Sequence, residues 1–182
     1  MPEIKLGKNV RRLREANGLS LRAVAEKSGF SASFLSQVEN DQASPSITSM
    51  ERIAAALGVT LGEFFQGLDT SSPAARLEPT ARISFRSEWS KARIVYLAGG
   101  HADARILPLL VALDPDGSSG SRPYPALTEE FAMVLEGSVV LTTEAGEQML
   151  GAGNAVTIPS GGLRRWHNAS VLPARFLIVT VR

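Results

Sequence analysis

The sequence has no cysteine, and aromatic side chains make up only 6% of it. Without thiols, disulfides, thiolate metal sites and cysteine nucleophiles are all excluded. Histidine is almost as scarce, with only His101 and His167. The chain also lacks a large charge of either sign: 20% of residues are charged and the net charge is +1. That excludes a disordered acidic or basic tail and a uniformly basic nucleic-acid binder. Long apolar runs are missing too. The longest, "LPLLVAL" from Leu107, is broken by proline and far shorter than the roughly 20 residues needed to span a bilayer. "MPEIKLGKNV" has no apolar leader region, so the expected protein is soluble and cytoplasmic, with no membrane partner.

What is present is enough for two small cores, given 182 residues of which 44% are hydrophobic. Charge is unevenly placed. Residues 1–30 hold seven Lys/Arg against three Asp/Glu, whereas residues 31–70 hold Arg52 against five acids.

Between Ile4 and Leu68 the apolar period is helical, with Leu6, Val10 and Leu13 along one stripe and Met50, Ile53, Ala54 and Leu57 along another. Gly18 closes the first helix, Ser20 caps the second and Gly29 ends it, and Ser31 caps the third. Gly58 with Thr60 divides the fourth from a short fifth. "GLDTSSPAARLEPTAR" then carries neither period and reads as a linker. Beyond it come short β-type runs, "ARISF", "RIVYL", "FAMVL", "SVVLTT", "AVTIP" and "ARFLIVTV", separated by turn residues. The expected organisation is therefore two domains, one α and one all-β: a five-helix bundle over 1–68, a linker over 69–82 and a β-barrel over 83–182.

"SLRAVAEKSGFSASFLSQVEN" meets the requirements of a helix-turn-helix: two short helices joined across Gly29, with Val24, Ala25, Leu35 and Val38 as their shared apolar contact. The outer face of the second helix carries Ala32, Ser33, Ser36, Gln37 and Asn40. Small side chains allow close approach to a major groove, and Gln or Asn pairs bidentately with adenine. Lys8, Arg11, Arg12, Arg14, Arg22 and Lys27 flank that face as candidate phosphate contacts.

On these residues and on "SPSITSMERIAAALGV", residues 6–66 resemble the phage-repressor, or Xre-type, helix-turn-helix domain. The resemblance implies a recognition helix from Ser31 to about Glu39 that reads bases with Ala32, Ser33 and Gln37. It also implies DNA as partner, bound by a homodimer on two half-sites about 34 Å apart. The assigned DNA-binding set is Arg12, Arg22, Ser31, Ala32, Ser33, Ser36, Gln37 and Asn40.

The β half resembles the cupin (double-stranded β-helix) barrel. "GNAVTIPSGGLRRWHN" aligns with the second cupin motif from Gly153 through Pro159 and Gly161 to Asn168, and "YPALTEEFAMVLEG" aligns with the first. Cupins place three histidines and a glutamate at four of these positions to hold a metal. Here those positions carry Tyr124, Ala126, Glu130 and Arg164. A divalent site needs three or four converging N, O or S donors, so the expectation is a pocket with no metal and no cofactor. By strand alternation Arg164, Trp166 and Asn168 share one face, and Arg165 and His167 the other.

Arg164 offers a planar fork of donors to a carboxylate or phosphate. Two readings of it stay open: a closed structural ion pair with Glu130, or a pocket in which Tyr124, Glu130, Arg164, Trp166 and Asn168 orient a small polar or anionic effector. The combination resembles bacterial transcription regulators that join an Xre-type domain to a cupin sensor, and implies a non-enzymatic regulator. The rivals are a metal-dependent cupin oxygenase or isomerase with an accessory DNA-binding domain, and a cupin that serves only to hold a dimer together.

Overall fold

The structure is a computed structural model and describes residues 6–66, 83–97 and 104–181. The expected linker over 69–82, and with it His101, lies outside the described residues.

The first half folds as α1 (Gly7–Ala16), α2 (Leu21–Ser28), α3 (Ala32–Glu39), α4 (Ile47–Ala56) and α5 (Leu61–Gln66). Local chemistry sets each boundary. The hydroxyls of Ser20, Ser31 and Ser46 accept the N–H of Ala23, Phe34 and Ser49 at 3.1 Å each, which satisfies donors that a helix start leaves free. Thr60 and Glu63 form a reciprocal capping box, Glu63 N–H to Thr60 Oγ1 at 3.2 Å and Thr60 N–H to Glu63 Oε2 at 2.7 Å. Gly29, at φ 69°, makes the left-handed turn between α2 and α3 that a side chain would strain. Val24, Ala25, Leu35 and Val38 are buried, as their place in the helix-turn-helix contact requires.

The second half forms two antiparallel sheets rather than one closed ring. Six strands lie in the order β1 (Ser84–Ser87), β2 (Ala92–Tyr96), β3 (Ile106–Leu113), β10 (Ala174–Val181), β5 (Glu130–Glu136) and β8 (Ala155–Ile158). Four more follow the order β4 (Tyr124–Pro125), β9 (Leu163–His167), β6 (Ser138–Thr143) and β7 (Gly146–Gly151). The facing sides share a core that includes Ile94, Val111, Phe176, Val139, Leu141 and Trp166. The Trp166 ring sits 4.8 Å from that of Phe176, joining sheet to sheet.

The strand pattern missed β3, because its apolar run has no alternation and holds Pro108. Leu107, Leu109, Val111 and Leu113 of this strand are buried in the core, and Ile106, Pro108, Leu110 and Ala112 on its outer face are apolar as well. Pro108 is tolerated one residue beyond the last β2 partner, where its carbonyl still accepts Leu97 N–H at 3.0 Å. The polar hairpin strand β7 was missed for the opposite reason, having little apolar content to signal it.

The two halves pack on each other within one continuous apolar cluster. Thr48 at the start of α4 donates its N–H to Ser119 O at 2.8 Å. Two glycines permit this seat. A Cβ on Gly62 would come to 2.6 Å from Leu107 Cβ, and one on Gly120 to 2.8 Å from Thr48 Cβ.

Candidate functional site

Two regions carry the residues singled out from sequence. In the first, α3 lies on α2 with its outer side open: Ser31, Ala32, Ser33, Gln37 and Asn40 are exposed, while Ser36 is half-buried. Several of these have local partners. The Ser31 hydroxyl is the α3 cap, and Asn40 donates an amide proton to Ser36 O at 2.8 Å. Gln37 keeps an exposed amide with no such anchor among the hydrogen bonds of the described residues. Of the basic residues, Lys8, Arg11, Arg12, Arg22 and Lys27 are exposed. Arg12 is held by Asn9 Oδ1, at 3.1 and 2.8 Å from Nε and Nη2, and the buried Asn9 in turn donates to Phe64 O at 3.0 Å. That chain of bonds aims an exposed guanidinium from a fixed base.

Arg14 does not belong with the phosphate candidates. Its guanidinium grips Glu39 through Nε at 2.6 Å and Nη2 at 3.0 Å, and donates to Leu19 O at 3.0 Å. It therefore braces α1 against the end of α3. Arg11 pairs with Glu15 one turn along α1.

In the second region, Tyr124 and Arg164 are directly opposite across β4 and β9, and Glu130 meets them from β5. Three of the four residues at the aligned cupin ligand positions, Tyr124, Glu130 and Arg164, therefore converge. Arg164 donates to Glu130 through Nε and Nη2, both at 2.8 Å, and to the Tyr124 carbonyl through Nη1 at 2.9 Å. Alternation along β9 holds: Arg164, Trp166 and Asn168 are buried, Arg165 and His167 half-buried.

The residues expected to share a pocket nevertheless divide. Trp166 is spent on Phe176, and its indole N–H has no partner among the described residues. Asn168 donates to Leu113 O, Asp114 O and Leu172 O at 2.8 to 3.2 Å and accepts Ser170 N–H, tying together chain segments away from the cavity. Tyr124, Glu130 and Arg164 do line a cavity, of about 30 Å³, with room for only one or two waters.

Sequence reasoning missed Glu51. From α4 its Oε1 accepts Arg164 Nη2 at 2.6 Å, across 113 residues of chain. This contact makes the helical region and the pocket of the β half neighbours. In sequence Glu51 is an ordinary polar position beside the apolar stripe of α4, and nothing local distinguishes it. Leu61 and Gly62 of α5 and Ile47 of α4 complete the cavity roof, so the helical half covers the mouth of the β half.

Two carboxylates now face one guanidinium. Burial raises Glu51 to about 6, with Glu130 pushing the same way and Arg164 opposing. Burial works against the Arg164 charge, but Glu51 and Glu130 outweigh it and hold the group above its ordinary value. Tyr124 is also raised, first by burial and then by Glu51.

The helix-turn-helix family matches residues 10–64 and the cupin domain family residues 109–180. The HTH-type transcriptional regulator PuuR of Escherichia coli (strain K12) is 28% identical over 90% of this chain and 88% of its own length. SinR, an HTH-type transcriptional regulator of Bacillus licheniformis, is 32% identical over 46% of this chain and 69% of its own. The chain belongs to the helix-turn-helix transcriptional regulators, with a cupin domain behind the DNA-binding domain. A crystal structure of an HTH_3 family transcriptional regulator from Vibrio cholerae shares this regulator's fold, with TM-score 0.74 and 22% identity over 98% of this chain and 95% of that one.

Removing Arg164 leaves two carboxylates unpaired in the interior. Arg164→Ala is expected to cost about 3 to 5 kcal/mol in denaturant unfolding, whereas replacing Arg164, Glu130 and Glu51 together by Met, Leu and Leu costs much less. The Glu51 carboxyl sets a pH dependence. Its folded value, about 6, lies above the ordinary 4.5. The stability it contributes is thus full below about pH 4.5 and is lost as pH rises through 6, a change of about 2 kcal/mol. Glu51→Gln is expected to abolish that part of the slope, so urea titrations at pH 4.5 and 7.5 should show the variant gaining on the native protein at the higher pH.

Proposed function

We propose that this regulator binds operator DNA as a homodimer through α3, and that its cupin half binds a small polar or anionic effector at Arg164 without a metal. The observation that carries the DNA reading is the exposed face of α3, fixed on α2 by the Gly29 turn and the Ser31 cap and flanked by exposed Arg12 and Arg22. Gln37 is its one base-reading side chain with a distinctive donor and acceptor pattern.

The donor set supports a metal-free pocket. Tyr124, Ala126 and Arg164 stand at positions where a metal cupin needs imidazoles, and both Glu130 oxygens are committed to Arg164. The same set weighs against catalysis by a bound metal and favours a sensor over an oxygenase or isomerase. A regulator of operator DNA works in the cytoplasm, where its operator lies. Among the described residues no helix is long and apolar enough to cross a membrane.

Dimerisation has a surface to act through. An antiparallel sheet with a solvated side normally alternates apolar and polar. On the outer side of the six-stranded sheet, however, Val181 pairs with Ile106, Val179 with Pro108 and Phe131, and Leu177 with Leu110 and Met133. Ile106, Phe131, Leu135 and Val181 are exposed, and a second copy of this chain would cover them.

Gln37→Ala should lose about 1 to 3 kcal/mol of discrimination among operator variants in binding titrations. Arg12→Ala should instead weaken every sequence alike and flatten the salt dependence by roughly one unit of slope. A Gln37→Ala protein indistinguishable from the native one on all operators would refute this recognition face. Phe131→Asp and Leu135→Lys should each shift the protein from dimer to monomer in analytical ultracentrifugation while leaving its circular dichroism unchanged.

A further inference from the structure

Arg164 is engaged on three sides, and the β half itself supplies two of them: the Glu130 carboxylate and the Tyr124 carbonyl. The third side, an Nη2 proton, is taken by Glu51 from the DNA-binding half at 2.6 Å. Glu130 already neutralises the guanidinium, so Glu51 brings an excess negative charge into a site where Arg164 is 5% exposed and Glu130 4%. A second carboxylate in such a place costs desolvation that its attraction only partly offsets. It is also, chemically, a short carboxylic acid on a tether, lying against a cavity walled by Ile94, Leu109, Val111 and Ile178, with Thr128 and Thr180 as hydroxyl partners.

We propose that Glu51 occupies on Arg164 the place of a small monocarboxylic acid ligand, so that ligand binding and seating of the DNA-binding half on the cupin half exclude one another. This rests on the effector reading above and specifies its ligand class and its mode of regulation. Exchange of Glu51 for a free monocarboxylate conserves charge, whereas a phosphate dianion beside Glu130 adds one more negative charge. The cavity of about 30 Å³ is too small for a ligand while Glu51 is in place. Once α4 withdraws, the apolar walls and the two threonines suit a short acid with an aliphatic or hydroxylated body.

The seat itself favours two discrete states over gradual movement. Gly62 lies against Leu107 and Gly120 against Thr48 with no room for a methyl group, and Thr48 N–H bonds Ser119 O. A ligand that binds only the unseated state shifts the equilibrium by its affinity for that state, and by reciprocity anything that weakens the seat strengthens ligand binding. The neighbouring residue links the same helix to the recognition element. Arg52 lies 4.4 Å over the Phe30 ring at the helix-turn-helix corner, and Phe30 is 5.0 Å from Phe34 of α3.

The test uses the full chain with acetate, which replaces the atoms that Glu51→Ala removes, and with butyrate, which adds an aliphatic body. By titration calorimetry both acids should bind Glu51→Ala at least tenfold more tightly than the native protein. Neither should bind the charge-free triple variant Glu51→Ala, Glu130→Leu, Arg164→Met, which leaves no unpaired charge and so stays folded. The Thr48 amide, at the start of α4 where no helical partner is available, bonds Ser119 O across the seat at 2.8 Å and reports seating through its hydrogen-exchange rate, which saturating butyrate should raise at least threefold. Equal affinity of the native protein and Glu51→Ala, or exchange of the Thr48 amide that butyrate leaves unchanged, overturns the competition while leaving a carboxylate effector in place. Binding by neither protein overturns the carboxylate site itself, and with it the effector reading, and leaves Arg164 as a structural tie.

Discussion

The buried guanidinium of Arg164 is the constraint around which the cupin half is arranged. A group that cannot lose its proton must be neutralised where it lies, and Glu130 does this with two hydrogen bonds of 2.8 Å. Stability alone would stop there, since a well-packed apolar substitute is often as good as a buried ion pair. The third partner, Glu51, lies on the helical half. Its presence turns an ion pair internal to the β half into a junction between the DNA-binding fold and the cavity, and makes that junction sensitive to the charge state of one carboxyl.

The helical half is well suited to carry such a junction. Its helices are short, each bounded at one end by a serine, threonine or glycine, and held by polar ties as well as by the apolar core. Asn9 bonds Phe64 O across the bundle, and Arg14 clamps Glu39. α4 lies at the centre of this arrangement. It packs on α2 and α5, sends Glu51 into the cavity and lays Arg52 over Phe30. The exposed side of α3 and the cavity of the β half therefore lie at two ends of one run of contacts through a single helix.

The β half shows how one sheet serves two purposes. Inward positions of β3, β5 and β10 fill the core with Leu109, Val134 and Phe176, while outward positions of the same strands are also largely apolar. Such strands hide the alternation that marks a half-buried strand. This is the physical reason that Ile106–Leu113 was legible only as an apolar run and not as a strand.

The sequence by itself determined what depends on near neighbours. Ser20, Gly29 and Ser31 act within one helical turn, so the helix-turn-helix could be read residue by residue. Glycine and proline positions in "IPSGGLRRWHN" marked the turn before β9, and alternation placed Arg164 and Trp166 on one face. Even Glu130 beside Arg164 was legible, because both sit on motifs of one fold. Tertiary structure decided what depends on distance along the chain. Asn168 closes on three carbonyls instead of facing the cavity, and Trp166 turns to Phe176. Glu51 reaches Arg164 from the other half. No local pattern encodes these contacts, since each is fixed by how two separately formed elements pack: burial of their apolar faces sets the distance, and the polar groups caught between them must find whatever partner that packing brings within reach.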